Sequence, residues 1–271
     1  TARAEYQRAK LLASEIDATS PDNVSLLVWH AWSSMRDISR ATQIIERALS
    51  IEPTNPDALN AAVVLLTRLW RSGEAIPVAR YARERDPLST FVVWNLARAY
   101  RNNGEHAAAA ETLGDIVALN PDAIRAAWGI GVALLMQSKP EQALTQFDNN
   151  VSDPAYRLHG QVLALHDLGR SAEANAALDE LLALEESYAY AYLVGTAYAW
   201  TGDLDNAFLY LEKERDNDPG EGSIFRVEAN SPLYANLRDD PRWLPFLASV
   251  ELDPDFLASV EFNPRLPRAL R

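Results

Sequence analysis

Prolines mark a regular interval along this chain. They stand at Pro53, Pro87, Pro121, Pro154 and Pro219, spaced by 34, 34, 33 and 65 residues. The last interval is close to two periods, and the missing tooth falls near Ser187, after Glu185 and Glu186. Alanines repeat the interval at Ala41, Ala75, Ala109 and Ala143, each 34 apart, then at Ala174 and Ala207. Glycines mark it a third time at Gly104, Gly169 and Gly202. A period of this length means a stack of small units, none of which can bury its apolar face alone. It excludes most single-core folds for a chain of 271 residues.

One period reads as two helices. In 187–219, Tyr190, Leu193, Val194, Ala197 and Tyr198 recur at helical spacing. Gly202-Asp203 breaks the pattern as a turn. A second apolar stripe follows at Leu204, Ala207, Phe208 and Leu211, and Asp218-Pro219 closes the unit. The stretch 88–121 reads the same way, through Leu96, Ala97, Tyr100, Gly104, Ala109 and Leu113. Small residues such as Gly195 and Ala207 fall where two helices must approach closely.

This pattern resembles the tetratricopeptide repeat (TPR) family. Its unit carries a small residue at the eighth position, an aromatic at the eleventh and Gly at the fifteenth. Ala follows at the twentieth, a large apolar residue at the twenty-fourth and Pro at the thirty-second. The last clear unit sets Gly195, Tyr198, Gly202, Ala207, Leu211 and Pro219 on those positions, and the fourth sets Gly131, Leu134, Ala143 and Phe147 there. The resemblance implies an all-α, right-handed superhelical solenoid of about six helix-turn-helix repeats over 22–219. There are departures. Gly73 lies only two residues before Ala75, which predicts a longer first helix and a shorter second one in unit two. The fourth unit is one residue short, and the fifth lacks its Pro.

Both ends depart from the period. Within 1–21, Ala4, Tyr6, Ala9, Leu12 and Ala13 predict a helix in register with the second half of a unit. It is either the remnant of an excised repeat or a natural cap. Within 220–271, Ser231-Pro232, Asp240-Pro241 and Asp253-Pro254 each read as an N-cap followed by Pro at the first helical position. Three short helices are expected, at about 231–238, 240–251 and 254–261. Their apolar residues, including Phe225, Leu233, Leu237, Trp243, Phe246 and Leu247, suit a cap on the last repeat. A near-duplication links Phe246–Pro254 (FLASVELDP) with Phe256–Pro264 (FLASVEFNP), and 260–264 is expected to be extended along the array. The stretch 231–247 resembles the tail that follows TPR arrays in bacterial multidomain signalling and regulatory proteins.

Composition removes several function classes. The formal net charge of −13 argues against a binder of nucleic-acid phosphates or of anionic membrane surfaces. Cysteine is absent, so thiolate metal sites, disulfides and cysteine nucleophiles are excluded. No apolar run approaches a membrane span, the best being 127–136, which carries Gly129 and Gly131. No zinc-protease helix, phosphate-cradling glycine loop or nucleophile elbow is present. Gly129-Ile130-Gly131 lies within a helical stripe and reads as close helix packing. His159 and His166 are seven apart, too far for convergent metal ligands on one helix. The expectation is a non-catalytic protein with no cofactor or metal, a region of a bacterial protein on either the cytoplasmic or the periplasmic side.

The informative surface is the groove. The family resemblance implies that first helices line the concave face through their second, fifth, ninth, twelfth and thirteenth positions. Carried onto this sequence, those are Phe91, Trp94, Arg98 and Arg101 in unit three, and Arg125 and Trp128 in unit four. Unit five adds Tyr156, His159 and His166, and unit six Tyr192 and Trp200. Arg with Trp and Tyr is the composition of binding hot spots. It predicts a partner-binding face for a protein or peptide, less acidic than the rest of the molecule. A small-molecule-sensing module is the alternative function. Three other uses of these residues stay open: inter-repeat packing, pairing with acidic neighbours, and occupation of the groove by the C-terminal tail in cis.

Overall fold

The computed structural model describes residues 23–35, 37–184, 191–217 and 228–270. The predicted helix within 1–21 and the tooth near Ser187 lie outside the described residues. Twelve helices among the described residues form six consecutive pairs. These are α1 (Val24–Ser33) with α2 (Ile38–Ile51), α3 (Pro56–Arg68) with α4 (Ser72–Arg85), and α5 (Thr90–Asn102) with α6 (His106–Leu119). They continue as α7 (Ile124–Leu135) with α8 (Pro140–Asn150), α9 (Pro154–Asp167) with α10 (Ser171–Ala183), and α11 (Ala191–Thr201) with α12 (Leu204–Asn217). Each pair packs internally and then onto its neighbour, and first helices also touch across adjacent pairs, except α5 and α7, which scarcely meet. The result is an all-α repeat solenoid.

The alanine comb is the reason the pairs close. Ala41, Ala75, Ala143 and Ala207 are fully buried, and Ala109 and Ala174 nearly so. A larger side chain there would push the second helix off the first. The glycine comb marks the turn between them. Gly104, Gly169 and Gly202 have φ of 83°, 71° and 87°. One residue later the backbone N–H bonds back to a carbonyl five residues upstream, as in Glu105 to Tyr100 at 2.9 Å. Trp70 and Ser138 hold the same place without being glycine, at φ 59° and 57°. Their followers, Arg71 and Lys139, make the same bond, to Leu66 and Leu134.

That finding corrects the expectation for unit two. Its helices have 13 and 14 residues, the same as those of unit three. The turn is made by Trp70, so Gly73 falls inside α4 and lengthens nothing. Unit four needs a second correction. Pro53, Pro87 and Pro121 sit in loops three residues before α3, α5 and α7, whereas Pro154 is the first residue of α9, behind the Asp153 cap. First helices start at 56, 90, 124 and 154, so unit four is four residues shorter than its predecessors. The shortening is largely in α8, which has 11 residues where α2, α4 and α6 have 14.

Close packing explains two glycines. The Phe147 ring is fully buried between α7 and α9. A Cβ on Gly131 would lie 2.3 Å from it, and one on Gly160 2.2 Å. Gly131 is thus a packing glycine.

After residue 228 the period ends. Short helices occupy Pro232–Leu237 (3-10), Trp243–Ser249 (α13), Pro254–Ser259 (α14) and Arg268–Leu270 (3-10). Ser231 and Asp253 cap as their sequence suggests. Asp240-Pro241 instead opens a turn, with Asp240 accepting from the Arg242 N–H at 2.9 Å, and the helix starts only at Trp243. Asn236 donates to the carbonyls of Ala199 and Trp200 at the end of α11, groups that a helix terminus leaves unsatisfied. Phe246 meets Phe208 edge-on at 6.2 Å, and Arg242 lies over Phe208 while bonding Asp205. Further on, the Asn263 N–H donates to Glu46 on α2. No helix among the described residues is long and apolar enough to cross a membrane.

Candidate functional site

On α5, Phe91, Trp94, Arg98 and Arg101 are spaced three or four apart, so one face of the helix carries all four. The Ser89 side chain, accepting from the Val92 N–H, fixes where that helix starts. Beside α5, the first turn of α7 brings Ile124 and Arg125. Together they wall a cavity of about 560 Å³ lined by Phe91, Trp94, Asn95, Arg98, Arg125 and Glu228, with Thr90, Ile116, Ala123, Ile124 and Ala126 completing it. Phe91 is 52% exposed and its ring meets Trp32 of α1 at 5.4 Å. The Arg125 guanidinium lies over the Trp94 ring, 4.9 Å from its centroid.

The floor of the cavity is charged and buried. Arg101 pairs with Glu228 in a buried contact. Arg98 is only 7% exposed, and its Nε and Nη2 have no hydrogen-bond partner. Burial draws its pKa down to about 10; Glu228 opposes that fall, while Arg101 and Arg125 add to it. Asn95 is fully buried and donates to Asn60 Oδ1 of α3 at 2.9 Å, leaving its own Oδ1 without a partner. Two residues that line the cavity thus carry unused hydrogen-bonding atoms, Nε and Nη2 of Arg98 and Oδ1 of Asn95, all buried beneath its surface.

Deeper in units four to six, a polar chain crosses three first helices. Trp128 Nε1 donates to His159 Nδ1 at 3.1 Å. An indole can only donate, so Nδ1 accepts, and a neutral ring carries its proton on Nε2. That proton goes to Thr196 Oγ1, 2.8 Å away, and the Thr196 hydroxyl reaches the carbonyls of Tyr192 and Leu193. His159 is fully buried, and desolvation drops its pKa to about 3. Both ring nitrogens are occupied, which leaves none for a metal. Among the described residues no group of three His, Cys, Asp or Glu side chains clusters as a metal site.

The structure thus sorts the eleven sequence candidates. Phe91, Trp94, Arg98 and Arg125 share the cavity, and Arg101 sits behind it paired with Glu228. Trp128, His159 and Tyr192 are buried between repeats, with Tyr156 half-buried at 5.6 Å from Trp128. Those three are packing residues, which is what a stripe at helical spacing equally permits. His166 is exposed, and half-buried Trp200 donates to Asp167 at 2.8 Å. Sequence reasoning passed over Trp32, Asn95 and Glu228. Asn60 and Asn95, 35 apart, carried a faint signal as polar residues in two apolar helices. Glu228 lies beyond the period, so no register could find it.

A family described as tetratricopeptide repeat matches residues 95–151 and 159–222. Those residues are tetratricopeptide repeats. No curated protein sequence matches the chain. Among solved structures, PilW, a widely conserved type IV pilus biogenesis factor, is 19% identical with a TM-score of 0.60, over 71% of this chain and 90% of that one. Pseudomonas aeruginosa pilF is 17% identical with a TM-score of 0.50, over 88% and 98%. A tetratricopeptide repeat protein from Parabacteroides merdae is 15% identical with a TM-score of 0.51, over 86% and 96%. At such identities the likeness is one of fold. In this TPR array the cavity opens between α5 and α7, consecutive first helices that scarcely touch.

Proposed function

We propose that this TPR array is a non-catalytic scaffold that binds a protein or peptide, and that it serves within a larger bacterial regulatory or signalling protein. The partner seats on the concave face at units three and four. One observation carries this reading: the aromatic and arginine side chains gathered around the open 560 Å³ cavity. Phe91 and Trp94 supply flat apolar area, and the Arg98 and Arg125 guanidiniums supply charge-assisted donors. The family's repeat architecture supports it, since stacked helix pairs give an extended surface for recognition. Occupation of the face in cis is supported at one point, where Glu228 reaches Arg101. A cavity of this size also suits a small molecule, which keeps a sensing module as the second reading.

The test uses the exposed residues, because changing Arg101 would strand Glu228 in the interior. Phe91→Ala with Arg125→Glu should abolish capture of the partner in a pull-down, with helicity by circular dichroism unchanged. The control is Arg83→Ala with Asp115→Ala, which removes a 2.6 Å ion pair between α4 and α6. Capture lost in the control and kept in the first variant would refute the placement. Stabilisation of the chain by several degrees with a metabolite, and no captured protein, would favour sensing.

A further inference from the structure

The cavity holds an imbalance of charge and of hydrogen bonding. Arg98 and Arg125 line it with Arg101 close behind, and Glu228 is the only carboxylate among the described residues that line it. Glu228 is spent on Arg101. Arg98 is left more than nine-tenths buried with two nitrogens unpartnered, although a buried cation normally finds a partner. Arg125 lies over Trp94 and is exposed. The unused Asn95 acceptor sits in the same wall.

We infer that this cavity is the seat for an acidic side chain of an extended partner segment, flanked by an apolar residue. The carboxylate pairs with Arg98, with Arg125 at the rim. A backbone N–H of the same segment satisfies Asn95 Oδ1, and the apolar neighbour lies against Phe91, Trp94 and Ile124. The chain itself supplies the precedent: Glu228 brings a side-chain carboxylate into this cavity and satisfies the adjacent arginine. A phosphate or sulfate could meet Arg98, but it offers no N–H for Asn95 and no apolar flank. The inference rests on the partner-binding reading above and names the chemistry of that partner.

The experiment is selection from two peptide libraries. One displays random heptapeptides internally, with both ends joined to the carrier; the other displays them with a free C-terminus. Each is panned on the wild-type chain and on Arg98→Met, which keeps the side chain's length and removes its charge. The expected result is enrichment of Asp or Glu beside an apolar residue in the internal library, on wild type alone, by about tenfold over Arg98→Met. Because Arg98→Met removes an unpaired buried charge, the variant should melt no lower than wild type, which separates lost binding from lost fold. Enrichment without an acidic position overturns the inference, as does enrichment confined to free C-termini or the absence of enrichment in both libraries. If Phe91→Ala with Arg125→Glu still blocks partner capture while Arg98→Met leaves it intact, the scaffold reading stands and this inference falls.

Discussion

At the residue scale, the arginines of α5 differ in what surrounds them. Arg101 and Glu228 form a buried pair, so removing one partner strands the other. Glu228→Gln should cost about 3 kcal/mol, read as a lower urea midpoint with unchanged m-value. Arg98→Met should move the midpoint the other way. His159 gives a pH signature. Its folded pKa of about 3 lies below the ordinary 6.5, so between those values the unfolded chain holds a proton that the folded chain refuses. Its contribution is complete above pH 6.5 and is lost as pH falls towards 3, at no more than about 1.4 kcal/mol per pH unit. His159→Gln should flatten that part of the melting temperature against pH. That Arg98 and Arg101 share one face of α5 was legible in the sequence, because a spacing of three residues fixes it. Their burial was not, because it depends on how closely α5 and α7 approach and on a glutamate beyond the repeats.

At the element scale, the turns test the period most sharply. Trp70 and Ser138 take a left-handed backbone that favours glycine. Ser138 is exposed, so Ser138→Gly should raise stability by about 1 kcal/mol, measurable as a higher melting temperature. Gly104→Ala should lower it by about as much, since a Cβ there meets nothing and the cost is backbone alone. Sequence located three of these turns through glycine and misread unit two, where a tryptophan stands in the glycine's place. The paired FLASVE segments mark another limit. After α13, Glu251 turns left-handed at φ 62°, whereas after α14 Val260 is extended at ψ 112°. Phe246 is buried against Phe208 and Phe256 is 41% exposed, so packing decides what an identical local sequence does.

At the scale of the molecule, the repeats were legible because each period must bury the same small residues. The length of unit four was not, because Pro154 opens a helix where the other prolines stop a loop. Phe147 bridges that unit to the next through Gly131 and Gly160. Gly160→Ala should cost about 1–3 kcal/mol by overpacking and, in a stack held by nearest neighbours, should loosen units four and five first. Hydrogen exchange of the variant would locate the loosening. Hydrogen exchange also gives the most direct test of the scaffold account, with the chain compared alone and with its captured partner. The account predicts slower exchange at Thr90–Asn102 and Ile124–Leu135, with α6 and α8 unchanged. Protection confined to α6 and α8, with α5 and α7 unaffected, would contradict it.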